Sequence, residues 1–389
     1  AVLCVIGVFQ YKKTQALEST FVEYAGAAQG VVGVCKDTEH HPTCYDKEIP
    51  LLMDKGMTME GAFEVTREVQ ALDTSYRYCH VLGHYLAAKE TAKDPSKWKD
   101  VVARAPRGLC SNGAIHGAFQ ERFRNESFTE EELTRMKGEL MGVCEVREGW
   151  TPTPMEEATC THALGHLAMY VTSADIGRAT TLCMDIAAHD ELKDLRRLCF
   201  DGAFMQLFQP LEPDDFALIE GKEIETKEEA DELCNAFSGT EQASCVRESW
   251  SLWREELREP DGVTQFCARV PMSSGELTRC ENSVFYILTA HADLSIDWVT
   301  SFCPRVEERL QGRCFAQAAS RMLEVDYKNI SDAGRVCAIA EEKGVGAACF
   351  EELVVMSYFN FVPGSKEFYE LCSTMPDPWQ KNCLLQYQP

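Results

Sequence analysis

The sequence predicts an all-α protein, a right-handed α-solenoid of about nine helical hairpins, each clipped by a disulfide. Three observations predict it: cysteines in regular pairs, a repeat of 34 to 35 residues, and a helical apolar stripe after the second cysteine of the pairs. Internal periodicity of this length marks stacked helix-turn-helix units, none of which can bury its apolar face alone. The chain has 389 residues and 19 cysteines, the closest two nine apart, so no CxxC exists to suggest a zinc ribbon, a redox motif or c-type haem attachment. Instead the cysteines alternate long and short gaps. They pair as Cys144-Cys160, Cys183-Cys199, Cys234-Cys245, Cys267-Cys280, Cys303-Cys314, Cys337-Cys349 and Cys372-Cys383. Cys35-Cys44 adds another short pair, Cys79-Cys110 follows by elimination, and Cys4 is left over. Nine bridges require an oxidising, extracytoplasmic compartment: periplasm, cell surface or the secreted state.

The second cysteines at 245, 280, 314, 349 and 383 set the period. Cys314 is followed by Phe315, Ala318, Ala319, Met322 and Leu323, and Cys349 by Phe350, Leu353, Val354 and Tyr358. Apolar residues three and four apart line one buried helix face. Helices are also expected before the first cysteines, as in 297–303 and 366–372. Each unit therefore reads as one helix, a turn and a second helix, with the bridge closing the hairpin at its turn. A loop of this length restrains the unfolded chain by roughly 3 kcal/mol on the chain-entropy account.

Along the chain, residues 1–14 begin with the apolar Ala1 to Phe9 and end near Lys12 and Lys13. Nine apolar residues are too few to cross a bilayer, which takes about 20. The segment reads as the end of a membrane anchor or signal segment, and so as a membrane tether. Residues 15–210 form the N-terminal repeats. Here Cys110–Phe119 and Cys199–Phe208 match each other as C-x-[ND]-G-A-h-x-x-x-F. Pro152 and Pro154 interrupt the chain, and Pro210, Pro213 and the acidic run to Glu232 make the longest break. Residues 211–389 form the regular C-terminal repeats.

The charge balance, 38 basic against 62 acidic residues and a net −24, excludes nucleic acid and anionic lipid surfaces as partners. No GxGxxG unit, P-loop, GxSxG or HExxH is present, so no catalytic residues are assigned.

Leu82-Gly83-His84-Tyr85 and Leu164-Gly165-His166-Leu167, set in disulfide-clipped hairpins, resemble the helices of cysteine-rich Sel1/tetratricopeptide-type repeats. The resemblance covers the architecture from about residue 30 to the end. Most units lack the Leu-Gly, and the cysteines are spaced more widely. It implies a scaffold for binding proteins, peptides or cell-wall material, with no catalytic residues to carry over. The leading expectation is a non-enzymatic scaffold for a protein partner, with an accessory subunit of a larger assembly as one form of it.

The chemistry concentrates in histidine. His80-Val-Leu-Gly-His84 and His162-Ala-Leu-Gly-His166 share four of five residues, and Asn112-Gly-Ala-Ile-His116 lies between them. Residues four apart share a helix face, the spacing by which two imidazoles hold one metal ion. The glycines let neighbouring helices approach, so the rings of successive helices are expected to meet. One reading is a metal site for zinc or copper, with bis-imidazole haem as a further option, using His80, His84, His116, His162 and His166. A second is a seam of hydrogen-bonded structural histidines, and a third a pH-sensitive or catalytic surface. Glu121, Asp201 and Met205 are candidate supporting or further ligands.

Overall fold

The computed structural model describes residues 23–124, 128–187, 194–271 and 274–386. The expected anchor segment and Cys4 lie outside them. The described residues are helical, with only isolated bridges of strand type. None of their helices is long and apolar enough to cross a membrane.

Ten helices form an inner row: α1 (His41–Asp54), α2 (His80–Thr91), α3 (Gly113–Phe123), α4 (Pro154–Val171), α5 (Arg196–Phe208), α6 (Gly239–Glu248), α7 (Ser274–His291), α8 (Glu308–Val325), α9 (Gly346–Asn360) and α10 (Trp379–Leu385). Each packs on the next, and shorter helices such as Ile176–Ile186 and Ile330–Glu342 lie against consecutive pairs. The expected starts are visible in the chain chemistry. Pro154 occupies the first turn of α4, where its missing N–H costs nothing, and Thr153 and Glu156 cap that end reciprocally. The helices expected over 297–303 and 366–372 are found as Ile296–Phe302 and Lys366–Ser373.

Nine disulfides join Cys35 to Cys44, Cys79 to Cys110, Cys144 to Cys160, Cys183 to Cys199, Cys234 to Cys245, Cys267 to Cys280, Cys303 to Cys314, Cys337 to Cys349 and Cys372 to Cys383. Such a set is consistent with an extracytoplasmic protein, since reducing compartments keep thiols free. Most clip a shorter helix to the inner helix that follows it. The Cys79–Cys110 bridge differs from the hairpin scheme: it ties the starts of two neighbouring inner helices, α2 and α3, across a loop of 31 residues. The stripe of α8 is buried as expected, with Phe315, Ala318, Ala319, Met322 and Leu323 all in the core. In α9 the expected stripe ends early. Tyr358 is 40% exposed, and Ser357 and Asn360 take the buried places.

The row also folds back on itself. The backbone N–H of Tyr327 donates to the Gly108 carbonyl at 3.0 Å, Leu109 and Asp326 form an antiparallel bridge, and α9 packs against α4. Arg321 of α8 donates to the Tyr78 hydroxyl at 2.9 Å, 243 residues away. Units distant in sequence thus enclose the N-terminal helices, a contact set that nearest-neighbour stacking alone does not supply.

Two helix pairs, α2 with α3 and α4 with α5, approach through glycine. A Cβ on Gly165 would lie 2.0 Å from the Cys199 carbonyl oxygen and 2.6 Å from the Ala203 nitrogen. Gly165→Ala is therefore expected to destabilise the protein by about 2–4 kcal/mol, because backbone would have to move. Gly138→Ala, where nothing lies within 4 Å of the added carbon, is expected to be neutral or to stabilise by up to about 1 kcal/mol. Urea denaturation of the two variants checks the contrast.

Candidate metal centre

The glycine contacts set the site. Gly113 sits under the His80 carbonyl, where a Cβ would come within 2.3 Å, and Gly117 under that of His84, at 2.1 Å. This close approach carries the His116 ring from α3 into the space beside the two rings of α2. The turn that delivers α3 is itself unusual: Cys110, Ser111 and Asn112 have φ of 53°, 49° and 53°. Left-handed backbone costs a non-glycine residue of order 1 kcal/mol or more, and asparagine tolerates it best. Asn112 stands where the first histidine of the other two motifs would be, and its backbone role accounts for the exchange.

The structure brings all five histidines together. Ring centroids are 4.6 Å apart for His80 and His84, and 5.0 Å for His162 and His166. His116 lies between the pairs, 5.1 Å from His80 and from His84, 5.6 Å from His162 and 5.2 Å from His166. One ring nitrogen each from His80, His84 and His116 fall within 4.8 Å of one another. All three side chains are buried, as is His166, while His162 is half-buried. Burial pushes the imidazoles of His80, His116, His162 and His166 below their ordinary range, aided by the neighbouring histidines. Neutral imidazole is the form that binds metal.

The outer partners of the rings decide where their protons lie. His84 Nδ1 donates to Glu212 Oε1 at 2.8 Å, and His80 Nδ1 to the Cys110 carbonyl at 3.3 Å. A neutral imidazole has a single N–H, so with both rings neutral and both Nδ1 atoms donating, both Nε2 atoms carry lone pairs. Those two atoms face each other at 3.1 Å. Nearby, the buried Nε2 of His116 has no hydrogen-bond partner. Lone pairs at this distance repel unless a cation stands between them, and ligands about 2.0–2.1 Å from one ion are about 3 Å apart.

Several residues that support the site carry no local sequence signal. Glu212 and Asp215 come from the proline-flanked break after α5. Asp215 accepts from the Tyr170 hydroxyl at 2.7 Å, from Gln120 Nε2 at 3.4 Å and from the backbone N–H groups of Leu211 and Glu212. Burial opposes ionisation of Asp215, but these donors hold it below the usual carboxylate range. On the other side the Tyr78 ring stacks on His80 at 6.0 Å, and Arg321 bonds the hydroxyls of both Tyr78 and Tyr286. The sequence candidates fare unequally. Glu121 pairs with Arg124 at 3.2 Å, and Asp201 is held by Arg197 and Arg247 while its charge is also felt by His162. Met205 occupies in α5 the place that His116 occupies in α3, three residues after the contact glycine.

Comparison with family models, with curated proteins and with solved structures found no match to this chain.

Proposed function

We propose that the chain is an extracytoplasmic metal-binding protein that holds a transition-metal ion between His80, His84 and His116. The observation that carries this reading is the pair of Nε2 atoms 3.1 Å apart, on rings whose Nδ1 atoms each face an acceptor, beside the unpartnered Nε2 of His116. A structural seam of histidines would place a proton between those nitrogens at the expense of the bond from His80 Nδ1 to the Cys110 carbonyl. Three neutral nitrogen donors suit zinc or copper. Bis-imidazole haem fits poorly, since nitrogens this close on one helix leave no room for a porphyrin between them.

The surrounding architecture is, in this proposal, a right-handed solenoid of about nine hairpins of Sel1/tetratricopeptide type, tethered to a membrane by its N-terminus and acting as the scaffold of the centre. A protein partner at the C-terminal end is supported by Val355, Tyr358, Val362, Tyr369, Leu384 and Leu385, which are at least 40% exposed on or beside the last three helices. The metal reading is tested on untagged protein stripped with a chelator, reloaded with zinc and desalted. Stoichiometric zinc is expected in the wild type, with loss of the ion held by His80, His84 and His116 in His84→Ala and His116→Ala. A wild type that retains neither zinc nor, when reloaded with copper instead, copper overturns the reading.

A further inference from the structure

We infer that His162 and His166 hold a second ion of the same class, with His116 bridging the two ions as an imidazolate, one through each ring nitrogen, its N–H proton released to solvent as the second ion enters. The inference rests on the metal reading above but concerns different donors. The α4–α5 pair repeats the α2–α3 packing: a Cβ on Gly202 would meet the His162 carbonyl oxygen at 2.0 Å, as one on Gly113 would meet that of His80 at 2.3 Å. The same spacing brings the two rings of α4 equally close. His162 Nε2 and His166 Nε2 face each other at 3.2 Å. His166 Nδ1 donates to Gln206 Oε1 at 2.6 Å, which leaves its Nε2 as a lone pair directed at its neighbour.

His116 is the common element. Its ring lies between 5.1 and 5.6 Å from all four others, and its Nε2 is buried without a partner. Two cations in one buried cluster repel each other, and the enclosed carboxylates of Glu212 and Asp215 supply the compensating charge. Asp201, beside His162, is committed to Arg197 and Arg247, so imidazole nitrogen is the donor at the second position too.

Two measurements test this. Zinc per chain after desalting is expected to be two for the wild type, one for His162→Asn/His166→Asn and one for His80→Asn/His84→Asn, with circular dichroism establishing that each variant is folded. The second measurement needs no variant: copper(II) added to the wild type is expected to give an isolated paramagnetic signal up to one equivalent, then a spin-coupled spectrum as the second fills. A wild type that takes a single ion, with uptake unchanged in His162→Asn/His166→Asn, overturns the second site and leaves the first standing. Two ions that give uncoupled copper signals overturn the shared cluster. A wild type that takes none overturns the metal reading itself.

Discussion

Reduction of the nine disulfides under otherwise native conditions is expected to unfold the protein, with loss of its helical circular dichroism until it is reoxidised. The bridges close loops of 9 to 31 residues. Each contributes about 3 kcal/mol on the chain-entropy account, and nine together far exceed the 5–15 kcal/mol by which whole domains are stable. Even if strain and residual structure halve each contribution, the remainder is as large as the total. The individual units explain why packing cannot compensate: several clipped helices are short, as with the six residues of Gly262–Cys267 and the seven of Trp379–Leu385. Helices of that length are marginal in water without a constraint. Thermal melts after graded reduction, paired with thiol counting, check the expectation. A cooperative melt that survives opening of all nine bridges would sink it. The same titration of unfolded, unreduced chain is expected to find about one free thiol, that of Cys4.

The period and the helical class were legible because they are local. Cysteine spacing of 34 to 35 residues and the stripe after Cys314 depend on residues a turn or two apart. The paired histidines were legible for the same reason, since an i, i+4 pair on one helix faces one way whatever surrounds it. What closes the row around them was not. Arg321 reaches Tyr78 across 243 residues, and Glu212 reaches His84 across 128. Neither has a neighbour in sequence that marks its partner. The break containing Glu212 reads as an acidic linker because charge and proline are what composition reports. Its function as a hydrogen-bonding wall appears only when α5 has turned it back onto α2 and α3. Asn112 is a further case: its exchange for histidine looks like a missing ligand until the left-handed turn at Cys110–Asn112 gives it a backbone reason.

Saturating zinc is expected to stabilise the chelator-stripped protein by about 4 kcal/mol once free zinc exceeds the dissociation constant a thousandfold, because the ion binds the folded cluster and the unfolded chain has no such cluster. For a chain of this size unfolding in one step, that corresponds to a rise in Tm of roughly 5 °C. The stripped protein already contains the cost that the ion removes, namely facing lone pairs on His80 and His84 and an unpartnered His116 nitrogen, all out of water. Zinc therefore restores interactions the fold has paid to prearrange, and the shift is expected to be larger than any from calcium, which prefers oxygen ligands. Glu212→Gln separates this from general ionic effects. The amide oxygen still accepts from His84 Nδ1, so the ring stays in place, but the negative charge that strengthens it as a donor is gone. Loss of such an outer partner weakens metal affinity about 10- to 100-fold, which shrinks the stabilisation at fixed zinc by about 1.4–2.7 kcal/mol. Differential scanning calorimetry of both proteins with and without zinc reads the difference. If Glu212→Gln melts as the wild type does at every zinc concentration, the carboxylate is only packing, and His84 is not a ligand tuned by it.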